Sequence, residues 1–396
     1  MTFLPRHLAP VATPLPLASL LGGLGAPAQT TEQFGAALAR YLATPATFLA
    51  SSGRTAFYLL LKSLQAQQPD RHSVVLPAYT CPSLAKVVLD AGLQPSLVDI
   101  VPATFAYHLD ELATYLNEQT LAVVLVHPFG MPQTVAPVQA LAHGVGAVLI
   151  EDAAQSLGAS LDGQPVGTHG DYGLFSLGPG KPLSTGGGGF VCARDPEQTR
   201  HLAAAWQILP PVRPGAASLA LTRLALFTLA FQPPAWWLAT RAGAQRVGEQ
   251  EASWGFALTD LTPAQAAVGL AQLPQLDGYN RQRQVQATQI IERLQALDCV
   301  QLPCPVPGAM PIYLRLPVLV ATEALREQLF QRLWAAGIGV GRMYGRTLAK
   351  FFPTLNLAPY PGAQQIARRL LTLPTHHFVR PHDIDRIGEI FAQGER

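Results

Sequence analysis

Residues 147–159 read AVLIEDAAQSLGA, an apolar strand-like run that stops at two acids, Glu151 and Asp152. Similar apolar runs lie on both sides of it, and helix-period stretches separate most of them. These runs are 73–77, 96–100, 121–126, 174–177 and 189–193. Strands that are apolar throughout and alternate with helices are typical of a mostly parallel sheet covered on both faces. The sequence therefore predicts an α/β domain.

The length of 396 residues predicts two domains rather than one core. We expect a large domain over 1–275, with an apolar helical insertion at about 200–250. Pro274 marks a break between two predicted helices, and a smaller α+β domain is expected over 276–396. Its predicted elements are a strand at 312–320, a helix at 322–337, and further helices near 363–371 and 382–393.

The charge content argues against nucleic acid as a partner. Charged residues make up 13% of the chain and the net charge is +2, so no strong field attracts a polyanion. The four cysteines have no C-x-x-C spacing, and the N-terminus lacks a basic stretch followed by an apolar one. We therefore expect a cytoplasmic protein without a metal site.

The segment 216–240, AASLALTRLALFTLAFQPPAWWLAT, is apolar over a length that would cross a bilayer. Arg223 and the pair 233–234, both proline, argue against a simple span. We interpret the segment as a buried helical excursion or a subunit-contact helix. The alternative is peripheral attachment to a membrane, with Trp236 and Trp237 at the level of the headgroups.

Three features predict one site at the carboxyl ends of the strands, where ligands of open α/β sheets bind. Asp152 ends a strand, although an acid at this place also caps helices. Lys181 follows 29 residues later in FSLGPGKPLSTGGGGFV (175–191), just before the glycines 186–189. Residues 51–53, Ser-Ser-Gly, stand where a helix begins, a place suited to a phosphate group.

An acid for a ring nitrogen, a lysine for an aldehyde and a helix N-terminus for a phosphate together describe pyridoxal 5′-phosphate. The acid keeps the pyridine nitrogen protonated, and the lysine forms a Schiff base and then moves protons. Burial and the cofactor cation must lower the pKa of such a lysine. We predict pyridoxal 5′-phosphate as the cofactor.

Several blocks read together resemble the sugar aminotransferases called the DegT/DnrJ/EryC1/StrS family. The blocks are SSGRTAFYLLLKSL, VVLPAYTCPSLAKVVLDAGLQPSLVDI, VVLVHPFGMP, IEDAAQSLGASLDGQPVGTHGDYGLFSL, LTLPTHHF and the lysine loop. The resemblance runs from about Thr31 to the C-terminus, and the segment near 200–250 is its atypical part. It implies the fold-type I architecture of aspartate aminotransferase and a homodimer with active sites at the subunit interface.

The resemblance also implies a role for each matching position. These are Lys181 as the Schiff-base lysine, Asp152 as partner of the pyridinium nitrogen, Gln155 along the ring near its phenolic oxygen, Ser176 as a phosphate ligand, and Gly53, Arg54 and Thr55 on the phosphate loop. For Gln155 a capping or surface amide stays open, and for Arg54 a side chain that reaches solvent or a carboxylate. His127 occupies the family's His-x-x-Gly position, where it borders the ring or the substrate, or is a core histidine.

Some positions depart from the family pattern. Cys81 stands where the family has an aromatic residue stacked on the ring, and Tyr79 projects to the same side if the segment is extended. Leu258 and Asp260 replace an Asn and an Arg, the Asn being the one that reaches the phosphate of the neighbouring subunit. Arg54 is a source of positive charge for the phosphate from within the same chain.

The function implied by the resemblance is amino transfer, with glutamate as donor, to a keto group on a nucleotide-linked sugar for a polysaccharide, glycolipid or antibiotic. The partners are then small molecules. Two alternatives are a related sugar dehydratase, for which the resemblance implies a histidine in place of Lys181, and a catalytically silent scaffold held at a membrane by 216–240.

Overall fold

The computed structural model describes residues 6–210, 212–213, 215–241, 255–355 and 358–394. The helices are α1 Leu17–Gly22, α2 Thr30–Leu42, α3 Gly53–Gln67, α4 Pro82–Asp90, α5 Leu109–Tyr115, α6 Ala136–Gly144, α7 Pro196–Trp206, α8 Ala216–Ala230, α9 Pro233–Arg241, α10 Pro263–Gln272, α11 Leu276–Leu294, α12 Glu323–Ala335, α13 Leu348–Phe351, α14 Pro361–Arg369 and α15 Pro381–Gly394. Short 3₁₀ turns lie at Pro128–Gly130, Leu273–Gln275 and Pro353–Leu355. The strands are β1 Thr47–Ala50, β2 Ser73–Pro77, β3 Gln94–Val98, β4 Thr120–Val126, β5 Val148–Asp152, β6 Ser160–Leu161, β7 Gln164–Pro165, β8 Tyr172–Ser176, β9 Gly189–Ala193, β10 Val300–Gln301, β11 Ala309–Met310, β12 Leu316–Val320 and β13 Leu370–Leu373.

A seven-stranded sheet forms the centre of the molecule. Its strand order is β1-β9-β8-β5-β4-β2-β3. The strands from β8 to β3 pair in parallel, whereas β9 runs antiparallel to both of its neighbours. Strand β1 therefore runs in the same direction as the parallel set. The expected α/β class with a mostly parallel sheet is confirmed.

The sheet strands are mostly apolar, as expected for strands of a parallel sheet that is covered on both faces. In β4 the run TLAVVLV is buried from Thr120 to Leu125, and in β5 only Val148 is partly exposed. Helices α3, α4, α6 and α7 contact these strands and cover them. Strand β1 was not among the predicted strands, because four residues at the sheet edge leave too short an apolar run to be distinguished.

The chain bends where Pro274 predicted a break, in the 3₁₀ turn Leu273–Gln275 between α10 and α11. Beyond it, β10, β12 and β13 form a second, three-stranded sheet with a separate apolar core. Leu8 and Ala9, from the N-terminal segment, also belong to that core. The division at residue 275 stays a prediction. The N-terminal segment, which precedes the predicted boundary, packs into the core formed mainly by residues after it.

The apolar insertion forms α8 and α9, whose axes bend by 86°. Only a few of its side chains are buried, among them Leu221, Leu224 and Trp236, while Leu226 and Leu229 are 61% and 64% exposed. The interpretation as a buried excursion therefore does not describe α8. The interpretations as a subunit-contact helix and as a membrane-surface helix stay open for this segment. No single described helix is long and apolar enough to cross a membrane. Taken together, the bent pair α8 and α9 has the length and composition that a broken membrane span would need. The part of the predicted insertion at 242–250 lies outside the described residues.

Gly189, the first residue of β9, has no room for a side chain. A Cβ atom there would lie 2.3 Å from the backbone nitrogen of Gly53. We expect Gly189→Ala to lower the free energy of unfolding by about 1–3 kcal/mol, because backbone must move to admit the methyl group. Gly278 in α11 is the matched control, since its Cβ would meet no atom within 4 Å. Gly278→Ala is expected to stabilise the protein by about 0.8–1 kcal/mol in a urea unfolding experiment, and equal effects at both positions would contradict the steric argument.

Candidate active site

One edge of the central sheet collects the ends of several strands that run in the same direction. His127 follows β4, Asp152 and Ser176 end β5 and β8, and Ser51 follows β1. Because these strands share a direction, the residues at their carboxyl ends meet. They line a cavity of about 480 Å³.

The cavity brings together eight of the ten predicted site residues. They are Lys181, Asp152, Gln155, Ser176, Gly53, Arg54, Cys81 and His127. Thr55 and Tyr79 do not line it. Residues separated by more than 100 positions in the chain therefore share one site.

Thr55 is turned towards its own helix terminus rather than the cavity. Its backbone N–H donates to Ser52 Oγ at 3.1 Å, and its hydroxyl donates to the carbonyl of Ala257 at 2.9 Å. Tyr79 instead packs edge-on against Tyr344, with ring centroids 5.6 Å apart. Tyr79 therefore stands behind a side chain that does line the cavity.

The backbone of Lys181, which precedes the glycine loop, is fixed by hydrogen bonds at both its carbonyl and its N–H group. Its carbonyl accepts a hydrogen bond from the Thr13 hydroxyl at 2.6 Å, and its N–H donates to the carbonyl of Gly178 at 3.3 Å. Burial lowers the pKa of the ammonium group, while the nearby Cys81 and Asp152 oppose this shift. The lysine is thus placed to give up a proton more readily than one in water.

Asp152 presents a buried carboxylate to the same cavity. It is 6% exposed, and its Oδ1 accepts the N–H of Ala154 at 3.0 Å. Burial raises the pKa of this carboxyl group, and the N–H of Ala154 and the charge of Lys181 oppose the rise. A cationic donor in the cavity would lower that pKa and keep the group ionised.

The N-terminus of α3 faces the cavity with groups that suit an anion. Ser52 caps this helix of 15 residues, and Gly53 and Arg54 follow it. Ser176 lies against Gly53, and both line the cavity with Arg54. Free N–H groups of a first helical turn, hydroxyls and a guanidinium are the donors that phosphate prefers.

Gln155 connects the large sheet to a residue that the sequence analysis did not identify. Its side-chain oxygen accepts the N–H of Phe129 at 3.2 Å, and its Nε2 donates to Tyr344 Oη at 3.3 Å. Tyr344 lines the cavity, and burial, followed by Cys81, Tyr79 and Asp152, raises its pKa well above the ordinary value. Its surroundings GRMYGR form no periodic pattern, so the sequence carried no signal for it.

His127 borders the cavity, yet both of its ring nitrogens are occupied. Its Nδ1 accepts the N–H of Gln133 at 2.9 Å, so the ring proton lies on Nε2, which donates to Glu151 at 2.9 Å. Glu151 also accepts the N–H groups of Gly167, His169 and Gly170. Of the two interpretations left open for His127, the hydrogen bonds favour a core histidine that forms part of the wall.

This pairing makes Glu151 a structural group. Burial alone would raise its pKa, but His127 and the N–H groups of Gly170 and Gly167 bring the pKa below the ordinary 4.5. We expect Glu151→Gln to lower the free energy of unfolding by about 3 kcal/mol near neutral pH, because an amide NH₂ would face N–H donors.

Urea unfolding of this variant at several pH values checks the expectation. The folded pKa is lowered, so the stabilisation is present above the ordinary 4.5 and is lost as pH falls through the folded value. Glu118→Gln is the control, because Glu118 is exposed. A loss at Glu151 that does not depend on pH would contradict the electrostatic part of the argument.

The segment that departs from the family pattern packs against its own chain. The carbonyl of Ala257 accepts the hydroxyls of Ser51 and Thr55, and the N–H of Ser51 donates to Thr259. Leu258 is 39% exposed, and the carboxylate of Asp260 accepts the N–H of Leu261, so neither lines the cavity. Among the residues that line it, the arginine is Arg54, the second residue of α3.

The family model of the DegT/DnrJ/EryC1/StrS aminotransferase family matches residues 19–392. The chain belongs to this family. The resemblance seen in the sequence blocks is therefore confirmed. The predicted enzyme class is confirmed as well: this DegT/DnrJ/EryC1/StrS protein is a sugar aminotransferase. The match to an aminotransferase family favours amino transfer over the alternative of a related sugar dehydratase.

Curated relatives of this family member are sugar aminotransferases. A dTDP-4-dehydro-2,3,6-trideoxy-D-glucose 4-aminotransferase of Saccharopolyspora spinosa is 29% identical over 87% of this chain and 83% of its own. A UDP-N-acetyl-3-dehydro-alpha-D-glucosamine 3-aminotransferase of Acidithiobacillus ferrooxidans is 28% identical over 87% of this chain and 82% of its own. The similarity extends over most of each protein.

Solved structures support the fold. The aminotransferase TlmJ of Streptoalloteichus hindustanus superposes with a TM-score of 0.77 at 24% identity, covering 98% of both chains. DesI, solved in the presence of its TDP-sugar product, gives a TM-score of 0.79 at 21% identity, covering 99% of this chain and 93% of its own. The expected fold-type I architecture is confirmed.

Proposed function

We propose that this DegT/DnrJ/EryC1/StrS protein binds pyridoxal 5′-phosphate and transfers an amino group to a keto group of a nucleotide-linked sugar. The observation that carries the proposal is the placement of Lys181 and Asp152 in one cavity beside the N-terminus of α3. Asp152 is buried and Lys181 is partly buried, and enclosing two chargeable side chains is costly for a protein without a ligand between them.

The residues present fit this cofactor. Asp152 offers a carboxylate to a protonated ring nitrogen, and Lys181 offers an amine to an aldehyde. Gly53, Arg54 and Ser176 surround the place for a phosphate at the start of α3. The volume of about 480 Å³ is in the range of cavities that bind small molecules.

When bound, pyridoxal 5′-phosphate supplies an electron sink for the carbon that gains or loses the amino group. Lys181 would take a proton from that carbon and deliver it to the aldehyde-derived carbon of the cofactor, and would move it the opposite way in the second half-reaction. This requires a neutral amine, and burial lowers the pKa of Lys181 towards that state. Asp152 would keep the ring nitrogen protonated. Gln155, fixed by Phe129 and Tyr344, would contact the bound ring.

The substrate class is inferred from relatives. The two curated relatives described above act, by their names, on a dTDP-linked and a UDP-linked keto sugar. We propose a sugar of this class as acceptor and glutamate as donor, in the biosynthesis of a polysaccharide, glycolipid or antibiotic.

The remaining parts of the proposal are the assembly and the compartment. We propose a homodimer, as the family resemblance implies, with the open side of the cavity near the subunit interface. A cytoplasmic location also stays a prediction, based on the cysteine pattern.

An absorbance spectrum of the purified protein with added pyridoxal 5′-phosphate tests the proposal. We expect a band near the visible edge, its shift on addition of L-glutamate, and recovery of the cofactor on one peptide after borohydride reduction. The chain has four lysines, so peptide mapping distinguishes Lys181 from the other three. A colourless protein that borohydride does not label would overturn the proposal and favour the scaffold.

A further inference from the structure

The outward face of α8 is apolar, which is unusual for a surface helix. Leu219, Leu226 and Leu229 recur at helical spacing and are 51%, 61% and 64% exposed. On the opposite side, Leu221 and Leu224 are buried against α10. A helix that is apolar all round is normally covered on every side.

The apolar surface continues beyond this face of α8. Leu238 of α9 is 64% exposed, and Leu21 and Leu24, in and just after α1, are 58% and 67% exposed. α1 reaches α8 through Leu20, which packs against the same small cluster as Leu221. We call Leu21, Leu24, Leu219, Leu226, Leu229 and Leu238 the apolar face.

The helices that carry the apolar face, α1, α8 and α9, contain charged residues of one sign, Arg223 and Arg241. Between Gln198 and Arg241 the sequence has four arginines and no Asp, Glu or Lys. They are Arg200, Arg213, Arg223 and Arg241, and all four are exposed. The whole chain carries +2, so everything outside this segment sums to −2. Arg223 lies in α8 and Arg241 is the last residue of α9, so the two helices of the insertion carry positive charge only.

The end of α9 adds a tryptophan and an arginine in contact with each other. The guanidinium of Arg241 lies over the ring of Trp237 at 4.1 Å from its centroid. Trp237 and Arg241 also border a shallow cleft with Trp334. Tryptophan and arginine are the side chains that lie well at the level of lipid headgroups, with an apolar body and a polar tip.

We propose that the apolar face docks on a bilayer that contains anionic lipids. Its leucines enter the boundary between headgroups and acyl chains, while Arg223 and Arg241 meet the lipid phosphates. The bend of 86° between α8 and α9 suits two helices that lie in the plane of the interface rather than one that crosses it. This inference concerns a different surface from the active site and does not depend on the proposed reaction.

A second copy of this chain is the rival occupant, and the charges argue against it. In a symmetric dimer the same patch is buried on both copies, so Arg223 and Arg241 of both copies would be enclosed in one contact. No acidic residue of the 198–241 segment is present to neutralise them. An anionic lipid surface satisfies both the apolar area and the positive charge.

Docking would bring the active site close to the membrane. The inward side of α8 packs on the lysine loop, where Leu224 contacts Gly186. The apolar face lies on the other side of α8, and a helix with its side chains is about 10–12 Å across. The cavity with Lys181 is thus separated from the lipid by little more than one helix and one loop.

Co-sedimentation of the full-length protein with vesicles tests the proposal. We expect binding to vesicles of phosphatidylethanolamine with phosphatidylglycerol and none to phosphatidylcholine alone. Leu226→Ser combined with Leu229→Ser is expected to lower the bound fraction at least about tenfold, because two exposed leucines no longer leave water. Arg223→Gln and Arg241→Gln are expected to lower it about fivefold per arginine.

Val285→Ser combined with Met310→Ser is the matched control. Both residues are as exposed as the two leucines, at 57% and 59%, but lie outside the apolar face. This control is expected to bind vesicles as the wild type does, and amino transfer in vesicle-free solution is expected to be unchanged in the leucine variant.

Two outcomes would overturn the proposal. The first is a wild-type protein that stays in the supernatant with anionic vesicles. The second is a leucine variant with half the mass of the wild type in analytical ultracentrifugation without lipid, which would assign the face to a contact between two copies.

Discussion

Lys181→Ala is expected to lower kcat for amino transfer by at least about 10⁴-fold, because it removes both the group that binds the cofactor covalently and the proton carrier. The side chain lines the same cavity as Asp152, and partial burial lowers its pKa. Among the residues that the structure describes, Lys181 is the lysine that lines the cavity. The measurement is the single-turnover rate with L-glutamate and a nucleotide-linked keto sugar, together with the absorbance spectrum.

The exposed Lys350 of α13 provides the matched control. Lys350→Ala is expected to keep wild-type activity and wild-type labelling by borohydride. If Lys181→Ala retained more than a small fraction of the activity, Lys181 would not be the group that handles the proton, and the proposed function would need another base.

Much of the fold could be predicted because local patterns decide it. The buried strands β4 and β5 have apolar runs along their whole length, and their ends carry His127 and Asp152 at one sheet edge. Lys181 could be assigned because it lies between a strand end and a run of glycines. These features lie within short stretches, where periodicity and turn residues are informative.

Other parts of the site depend on contacts that no local pattern encodes. Tyr344 reaches Gln155 across 189 positions, and Thr13 reaches the carbonyl of Lys181 across 168. The partnership of His127 with Glu151 has the same origin, since the next residue, Asp152, points to the cavity on the other side of the strand. Such pairings arise from tertiary packing, so the family resemblance could point to Asp152 as the functional acid, but the sequence could not show which partners hold Glu151.

Asp152→Asn is expected to lower kcat by about 10³-fold and to leave the fold intact. An asparagine oxygen can accept the same N–H of Ala154 that Asp152 accepts at 3.0 Å, so the local structure is retained. What disappears is the negative charge that would hold a proton on a ring nitrogen in the cavity. Steady-state kinetics and the absorbance spectrum of the variant check this result.

Thermal unfolding without cofactor separates this role from a structural one. Burial raises the folded pKa of Asp152 above the ordinary 3.8, so its contribution to stability is fully present below that pH and is lost as pH rises through the folded pKa. Above the folded pKa the ionised carboxylate therefore costs stability in the cofactor-free protein. We expect Asp152→Asn to unfold at the same temperature as the wild type or a higher one, while its activity falls.

The neighbouring Glu151 is expected to show the opposite change in unfolding temperature. Glu151→Gln is therefore the control for Asp152→Asn. The carboxylate of Glu151 accepts hydrogen bonds from the ring N–H of His127 and from three backbone N–H groups, so removing its charge lowers the stability of the fold. The carboxylate of Asp152 faces the cavity instead. Two adjacent carboxylates on one strand should thus respond with opposite signs in unfolding temperature. If Asp152→Asn destabilised the protein as much as Glu151→Gln does, Asp152 would be a structural acid, and the carboxylate for the cofactor would have to be sought elsewhere.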